Sequence, residues 1–212
     1  MKKILFFAIF CSVFTTSIFA QVYKNEKIAV YYFNVSLSED MPINFLKSHL
    51  DSIYNAIIVS LTGAGLQFYP IDFLKSAFNY NQYDFPQWFE GKARKSNLAN
   101  AYAKIEVEFS QASGVSSSST KQVTVLGGLG GGESKKKAKV KCKINLKVVN
   151  VEGEDILKIK ANLDSKDRIV IESESLIFGR FVLTSNNQNQ ETNESLQTLV
   201  NETINELAKQ IK

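Results

Sequence analysis

The first long hydrophobic run after residue 26 predicts a buried strand. It spans Lys27 to Val35 and is almost entirely β-branched or aromatic, which is typical of a central strand covered on both faces. After Pro42, apolar side chains recur at helical spacing with polar residues opposite them. This spacing predicts an amphipathic helix that ends at Gly63 and Gly65. Its apolar positions are Leu46, Leu50, Ile53, Tyr54, Ile57, Ile58 and Leu61, and its polar ones are Lys47, His49 and Asp51.

A second strand is predicted directly after this helix, over residues 66–71, where the sequence reads Leu-Gln-Phe-Tyr-Pro-Ile. Parallel strands need a crossover connection, usually a helix, and such crossovers are right-handed in nearly all proteins. We therefore expect the strands at 27–35 and 66–71 to lie parallel in one sheet.

From Ala103 onward the hydrophobic pattern has a period of two, most clearly over residues 139–149. Such alternation predicts strands with one buried and one exposed face. The inward positions are Ile105, Val107 and Phe109 in the first strand and Val140, Cys142, Ile144, Leu146 and Val148 in the second. A turn at 152–155, with Gly153 where a positive φ costs little, joins the second strand to a partner over 156–163.

The last third of the chain continues the alternation and then changes to a helical stripe. The strand positions are Ile169, Ile171, Leu176, Phe178 and Phe181, and the stripe is Leu196, Leu199, Val200, Ile204, Leu207 and Ile211. The stripe predicts a closing helix capped by Thr192 or Asn193. These elements predict a mixed α/β fold of the α+β class: a strand–helix–strand unit, then an antiparallel sheet with a long glycine-rich hairpin, then a C-terminal helix.

The segment 111–137 differs in composition from the strands on either side of it. Serines fill residues 116–119, and glycines dominate residues 127–132. Serine- and glycine-rich stretches behave as flexible coil, so a flexible loop is predicted. Val123, Val125 and Leu126 leave a second interpretation open, in which the segment is a long flexible hairpin.

Residues 72–102 are rich in aromatic side chains and contain two predicted short helices, about Asp72 to Phe78 and Pro86 to Asn97. In one interpretation the rings cap an end of the core, which is the common use of buried aromatics. In the other they form a surface for an apolar or glycan ligand, because exposed aromatics mark binding sites. The ligand-binding candidates are Tyr80, Tyr83, Phe85 and Trp88.

Residues 1–20 have the three regions of a cleavable secretory signal peptide. Lys2 and Lys3 precede an apolar run over residues 4–14, and the small residues Ser17 and Ala20 lie four positions and one position before Gln21. The run is shorter than the roughly 20 residues that span a bilayer. Cys11 lies inside this run after Phe10, without the small residues that precede a lipid-modified cysteine. We expect export to the periplasm or beyond, no stable membrane anchor, and one α/β domain over residues 21–212.

Net charge and cysteine count limit what the exported chain is expected to bind and how it is stabilised. The whole chain has a net charge of +4, and loss of Lys2 and Lys3 would lower this to +2. Nucleic-acid binders usually carry a much stronger, concentrated basic charge, so no nucleic acid is expected. Cleavage would also remove Cys11 and leave Cys142 alone, so the fold must depend on its core without a disulfide.

The sequence matches no complete catalytic, metal-binding or nucleotide-binding motif. We therefore expect no catalytic residues, no metal site and no cofactor. Gly127 and Gly132 have the spacing of a phosphate-binding loop, but Glu133 replaces the required lysine. His49 is the only histidine, which excludes a multi-histidine metal site. Cys142 is predicted to be a core residue. The lysines that begin at residues 135–137 either attract anionic surfaces or form a solvated strand face that prevents edge-to-edge aggregation.

In their order, these elements resemble the periplasmic domain family that includes the curli-export protein CsgG and the amino-terminal domain of TolB. The resemblance is carried by the segments Lys27-Ile28-Ala29-Val30-Tyr31-Tyr32-Phe33, Gln67-Phe68-Tyr69-Pro70, Ala103-Lys104-Ile105-Glu106-Val107 and Lys147-Val148-Val149-Asn150-Val151-Glu152-Gly153-Glu154. It covers roughly residues 27–211. The aromatic segment and the glycine-rich hairpin depart from the family pattern, and the missing lipid-attachment site argues against a membrane-anchored, pore-forming role.

The sequence therefore favours a soluble, exported, non-enzymatic protein that acts as an interaction or assembly module with protein partners in the cell envelope. A homo-oligomer is left open. The alternative is a small-molecule binding protein that uses the aromatic segment 78–89.

Overall fold

The computed structural model describes residues 27–38, 50–70, 72–79, 89–112, 117–123, 131–177, 180–183 and 190–211. The predicted signal peptide lies outside these residues. Outside them too are the helix positions Leu46, Lys47 and His49, the strand position Phe178, and the candidate ligand-binding residues Tyr80, Tyr83, Phe85 and Trp88. In chain order the elements are β1 (Lys27–Leu37), α1 (Leu50–Gly63), β2 (Gln67–Phe68), α2 (Phe73–Phe78), α3 (Phe89–Lys95), β3 (Ala101–Gln111), β4 (Ser117–Val123), β5 (Gly131–Ala138), β6 (Val140–Asn150), β7 (Asp155–Asp164), β8 (Ile169–Ile177), β9 (Arg180–Leu183) and α4 (Gln190–Lys209).

The larger sheet has five strands in the order β2-β1-β3-β6-β7. β1 is parallel to both of its neighbours, which confirms the predicted strand–helix–strand crossover and the central place of β1. β2 is much shorter than the predicted strand over 66–71. The Tyr69 N–H still donates to the Ile28 carbonyl at 2.9 Å, but Pro70 has no N–H to continue the ladder.

The antiparallel strands predicted from period-two alternation are all present, but they belong to two sheets. β3, β6 and β7 complete the larger sheet, and β4-β5-β8-β9 form a separate four-stranded sheet. The chain passes from one sheet to the other near Ala112, Lys139 and Ser165. At this bend the Ala112 N–H donates to the Lys139 carbonyl at 2.8 Å, and the Ser165 N–H donates to the Val140 carbonyl at 2.7 Å.

The segment 111–137 contains paired strands, as the hairpin interpretation predicts. β4 and β5 pair from Ser117 opposite Lys137 to Val123 opposite Gly131. Residues 124–130, with Val125 and Leu126, lie outside the described residues, and flexibility of the segment stays a prediction. The proposal that lysines here protect a sheet edge is wrong, because β5 and β6 each have a strand on both sides.

Two helices cover one face of the larger sheet. α1 and α4 pack their apolar stripes on the inward side chains of β1, β3, β6 and β7 in one continuous core. The inward positions predicted for β3 and β6 are all buried, and Asp51 is exposed as predicted. The proposed cap of α4 is wrong, because the helix begins at Gln190 and therefore includes both Thr192 and Asn193.

The opposite face of the sheet is covered at one end by α2 and α3. This second cluster is built from small and aromatic residues: Ala29, Tyr31, Leu74, Phe89, Ala93, Ala99, Tyr102 and Val149, with Tyr32, Tyr69, Phe73, Phe78 and Val151 packed around them. Both helices agree with the prediction within the described residues. α3 ends before Asn97, whose φ of +51° lies in the left-handed region and stops the helix.

Candidate binding surface

The face of the larger sheet that lies opposite α1 and α4 is its second face. Beyond α2 and α3 this face carries polar side chains, and we call this region the open face. Its members alternate with the buried residues of β1, β3, β6 and β7, so a period of two places them all on one side. The open face consists of Tyr32, Asn34, Ser36, Lys104, Glu106, Glu108, Lys141, Lys143, Asn145, Lys147, Lys158, Lys160 and Asn162.

A row of lysines crosses three strands of the open face. Lys104 is directly opposite Lys147, and Lys147 is directly opposite Lys158. Like charges at directly opposite positions are destabilising. Carboxylates compensate two of the three, because Lys104 Nζ lies 2.9 Å from Glu106 and Lys147 Nζ lies 2.8 Å from Asp155. The hydrogen bond to Asp155 raises the pKa of Lys147 above its ordinary value.

Two further ion pairs join neighbouring strands of this face. Lys143 Nζ lies 2.8 Å from Glu108, and Lys141 Nζ lies 3.8 Å from Asp164. Lys158 and Lys160 differ from these lysines, since neither forms an ion pair with any residue that the structure describes. Both are exposed on β7. The positive charge of the open face is therefore concentrated along β7.

At the rim of the open face, next to α3, the buried residue Tyr31 and two half-buried charged residues, Glu90 and Arg94, form one polar group. The Tyr31 hydroxyl donates to Glu90 Oε2 at 2.8 Å. Arg94 Nε lies 3.5 Å from Glu90 Oε1, an ion pair without hydrogen-bond geometry, and Arg94 Nη1 donates to the Val151 carbonyl at 3.2 Å. Burial, and then the hydrogen bond to Glu90, raise the pKa of Tyr31 far above its ordinary value. This group ties α3 to β1 and to the β6–β7 turn.

That turn needs glycine for two reasons. Gly153 has a φ of +93°, which side chains other than that of glycine rarely adopt. A Cβ atom at this position would also lie 2.7 Å from Arg94 Nη1. The sequence predicted the first requirement, whereas the second depends on a contact with α3 that local spacing does not reveal.

The candidate ligand-binding residues Tyr80, Tyr83, Phe85 and Trp88 lie outside the described residues, so their role stays a prediction. The described rings of the same segment pack against one another. Tyr69 and Phe73 stack at 3.9 Å, and Phe78 meets Phe89 edge to face at 5.0 Å. Phe89 is buried, and Phe73 and Phe78 are half-buried in the second cluster. For these three rings, the interpretation that they cap the core is confirmed.

Cys142 is buried in the core, as predicted. Burial raises the pKa of its thiol to about 12, although a hydrogen bond with Thr203 acts in the opposite direction. Among the residues that the structure describes, no three His, Cys, Asp or Glu side chains are placed to share a metal ion. Within the same residues, no helix combines the length and the apolar character needed to cross a membrane.

The residues that form the rim of the open face could hardly be recognised from the sequence pattern. Tyr31 and Tyr32 lie in a hydrophobic run that predicts burial on both faces, but a register shift between Val30 and Tyr32 places both rings on the second face. Glu90 and Arg94 have the i, i+4 spacing of a helical ion pair, but this spacing does not reveal their contacts with Tyr31 and Val151.

Comparison with known proteins gives distant structural likenesses. No protein-family model and no curated protein matches the sequence. A homolog of the neuraminyllactose-binding hemagglutinin, from Helicobacter pylori, is 12% identical, with a TM-score of 0.41 over 88% of this chain and 84% of that one. A minor lipoprotein from Acinetobacter baumannii is 14% identical, with a TM-score of 0.32 over 90% and 93%.

A PelC dodecamer from Paraburkholderia phytofirmans is 9% identical, with a TM-score of 0.34 over 89% of each chain. These likenesses are too remote to carry an argument about what this chain does. None of the three is described as a CsgG or TolB protein, so the resemblance to that family stays a prediction.

Proposed function

We propose that this chain is a non-enzymatic protein-binding module of the cell envelope, which acts after export and uses the open face as its contact surface. The observation that carries the proposal is the ordered set of ion pairs across that face, from Lys104 with Glu106 to Lys143 with Glu108 and Lys147 with Asp155. These pairs hold charges of both signs in fixed positions.

A surface of this kind suits a protein partner better than a polyanion. Nucleic acids and polyphosphates are bound by surfaces of one sign, whereas here each carboxylate of the open face lies beside a lysine. Tyrosine and arginine are enriched at protein interfaces. Tyr32, with Lys104 Nζ 5.1 Å from its ring centre, and Arg94 supply both residue types at one side of the face.

We also propose that the domain belongs to the family of CsgG and the TolB amino-terminal domain. The order of β1, α1, β2 and β3, and the glycine turn between β6 and β7, support this membership. Export is part of the same proposal. Sequencing the amino terminus of the protein recovered from cell fractions tests it, and the expected result is a chain that begins at Gln21 in the periplasm or the medium.

Site-specific photo-crosslinking in the native cell tests the binding surface. A photo-reactive amino acid replaces Asn145, in the middle of the open face, and in a matched control it replaces Val59, which is 71% exposed on α1. We expect discrete protein adducts from position 145 and none from position 59. Equal labelling from both positions, or no adducts at 145, would count against the open face as a contact surface.

A second candidate function is supported by the ends of the aromatic segment. Phe78 and Phe89 are in contact, so the segment that carries Tyr80, Tyr83, Phe85 and Trp88 begins and ends at the same place beside the second cluster. Aromatic side chains are typical of the lining of sites for apolar or glycan ligands, and the sequence of this segment is rich in them. Trp88 is the only tryptophan, so its fluorescence reports directly on such a ligand.

A further inference from the structure

β7 is a long strand at the edge of the larger sheet. It runs from Asp155 to Asp164 and pairs with β6 on one side. On its other side, no strand in the described part of the chain pairs with it. An unpaired edge offers a row of N–H and C=O groups to another chain, and most proteins keep such edges short.

One hydrogen bond shows which backbone groups of β7 face outward. Gln210 Nε2, just after α4, donates to the Lys160 carbonyl at 2.9 Å. Backbone groups alternate in direction along a strand, so those of Lys158 and Asn162 share the outward direction of Lys160. The side chains of all three residues are exposed on the open face.

The same stretch of β7 carries two positive charges that no carboxylate of the described residues neutralises. Lys141, Lys143 and Lys147 on β6 each have a carboxylate partner. Lys158 and Lys160 have none among the described residues, and Lys158 lies opposite Lys147. Outward backbone groups and lysines without an ion pair among the described residues therefore coincide at two positions, Lys158 and Lys160.

We propose that β7 is a docking edge for an extended acidic segment of a partner protein, which joins the sheet as a sixth strand. The proposal rests on the protein-binding function proposed above and names the partner's chemistry. Carboxylates two residues apart on the docked strand are spaced by about 6.8 Å. This matches the spacing of Lys158 and Lys160, and opposite charges on paired strands are favourable.

A second copy of this chain is a poor occupant of the same edge. Two copies that paired β7 with β7 in antiparallel fashion would place Lys158 and Lys160 of both copies on one face of a continuous sheet. Like charges across strands are destabilising, and edge lysines commonly prevent self-association. Gln210 holds the Lys160 carbonyl, so it must also release this group before any strand docks.

Peptide binding with hydrogen exchange tests the proposal on the exported chain. The probes are two labelled ten-residue peptides, one of alternating threonine and glutamate and one of alternating threonine and lysine. We expect the glutamate peptide to bind and to slow amide exchange at Lys158, Lys160 and Asn162. The double variant K158E/K160E should bind it about ten-fold more weakly and should prefer the lysine peptide. Gln210→Ala should bind it about three-fold more tightly.

Several results would overturn the docking edge: no binding, equal binding of both peptides, or binding that leaves those three amides unprotected. Sedimentation of the free protein as a dimer with the three amides already protected would assign the edge to a second copy and would equally refute the proposal. The variant K27E/K95E, which changes two exposed lysines on β1 and α3 and none on β7, should keep wild-type binding. If photo-adducts form at position 145 while the peptides fail, the protein-binding function stands and only the docking edge is lost.

Discussion

Replacement of Gly153 by alanine measures how tightly the β6–β7 turn is fixed to α3. The backbone φ of +93° disfavours alanine, and a left-handed backbone costs about 1–2 kcal/mol for a residue with a Cβ. The new Cβ would also lie 2.7 Å from Arg94 Nη1 and displace it from the Val151 carbonyl. A hydrogen bond from a charged group contributes about 1.5–3 kcal/mol. Because the arginine side chain can adjust, we expect the free energy of unfolding to fall by about 3 kcal/mol.

Urea denaturation followed by circular dichroism is a suitable assay. Gly91 supplies the matched control, since it lies inside α3 and, apart from its chain neighbours and its own helix backbone, no atom of the described residues lies within 4 Å of the position of an added Cβ. Gly91→Ala should raise stability by about 0.5–1 kcal/mol, because alanine is the better helix former. The reasoning is refuted if Gly153→Ala loses less than about 1 kcal/mol, or if the two variants behave alike.

A double-mutant cycle separates the two causes. Arg94→Ala removes the atoms that the new Cβ would meet, so only the backbone cost of Gly153→Ala remains in that background. We expect the double variant to be more stable than the sum of the two single changes predicts, by about 1 kcal/mol or more. Strict additivity would show that the contact with Arg94 contributes nothing.

Three further predictions concern other parts of the molecule. The buried Val140 N–H donates to the Ser165 hydroxyl at 3.0 Å. Ser165→Ala removes this acceptor, so urea denaturation should show that the free energy of unfolding falls by about 1–3 kcal/mol, and a fall of less than about 0.5 kcal/mol would contradict this. Burial raises the pKa of Cys142 to about 12 from an ordinary 9.0, which keeps the folded thiol protonated at pH 9–11 while the unfolded thiol ionises, so stability should decline over this range. Ellman's reagent should react only after unfolding. Cys142→Ala should make the decline less steep without abolishing it, because burial also raises the pKa of Tyr31, and an unchanged slope would contradict the reasoning. Trp88 fluorescence should shift with an apolar or glycan ligand, and an unchanged spectrum across a ligand panel would eliminate the aromatic segment as a ligand-binding site.

Sequence periodicity was sufficient for most of the secondary structure. The alternation from Val140 to Val148 correctly predicts which side chains of β6 are buried, because a strand has only two faces and one of them meets α1 and α4. The helical stripe from Leu196 to Leu207 likewise identifies the buried face of α4. Both patterns are local consequences of burial on one side.

The division into two sheets could not be predicted in the same way. It depends on the bend at Lys139, where the alternation of lysine with apolar residues continues without interruption in the sequence. The open face was also missed as a surface, because its lysines are spread over β3, β6 and β7. Only the register places Lys104, Lys147 and Lys158 in one row. The spacing of lysines within one strand does not reveal which residues of distant strands lie opposite them.

The placement of β1 has a consequence for the kinetics of folding. β1 comes first in the chain, yet its long partner is β3, so Ile28 must find Ala101 across an intervening helix and aromatic segment. β6 and β7, by contrast, are joined by a short turn. Loop closure costs more for distant partners, so we expect the β6–β7 hairpin to form early and β1 to join late. Under the proposed export, in which the amino terminus crosses the membrane first, β1 would therefore emerge before its partner β3 and stay unpaired the longest.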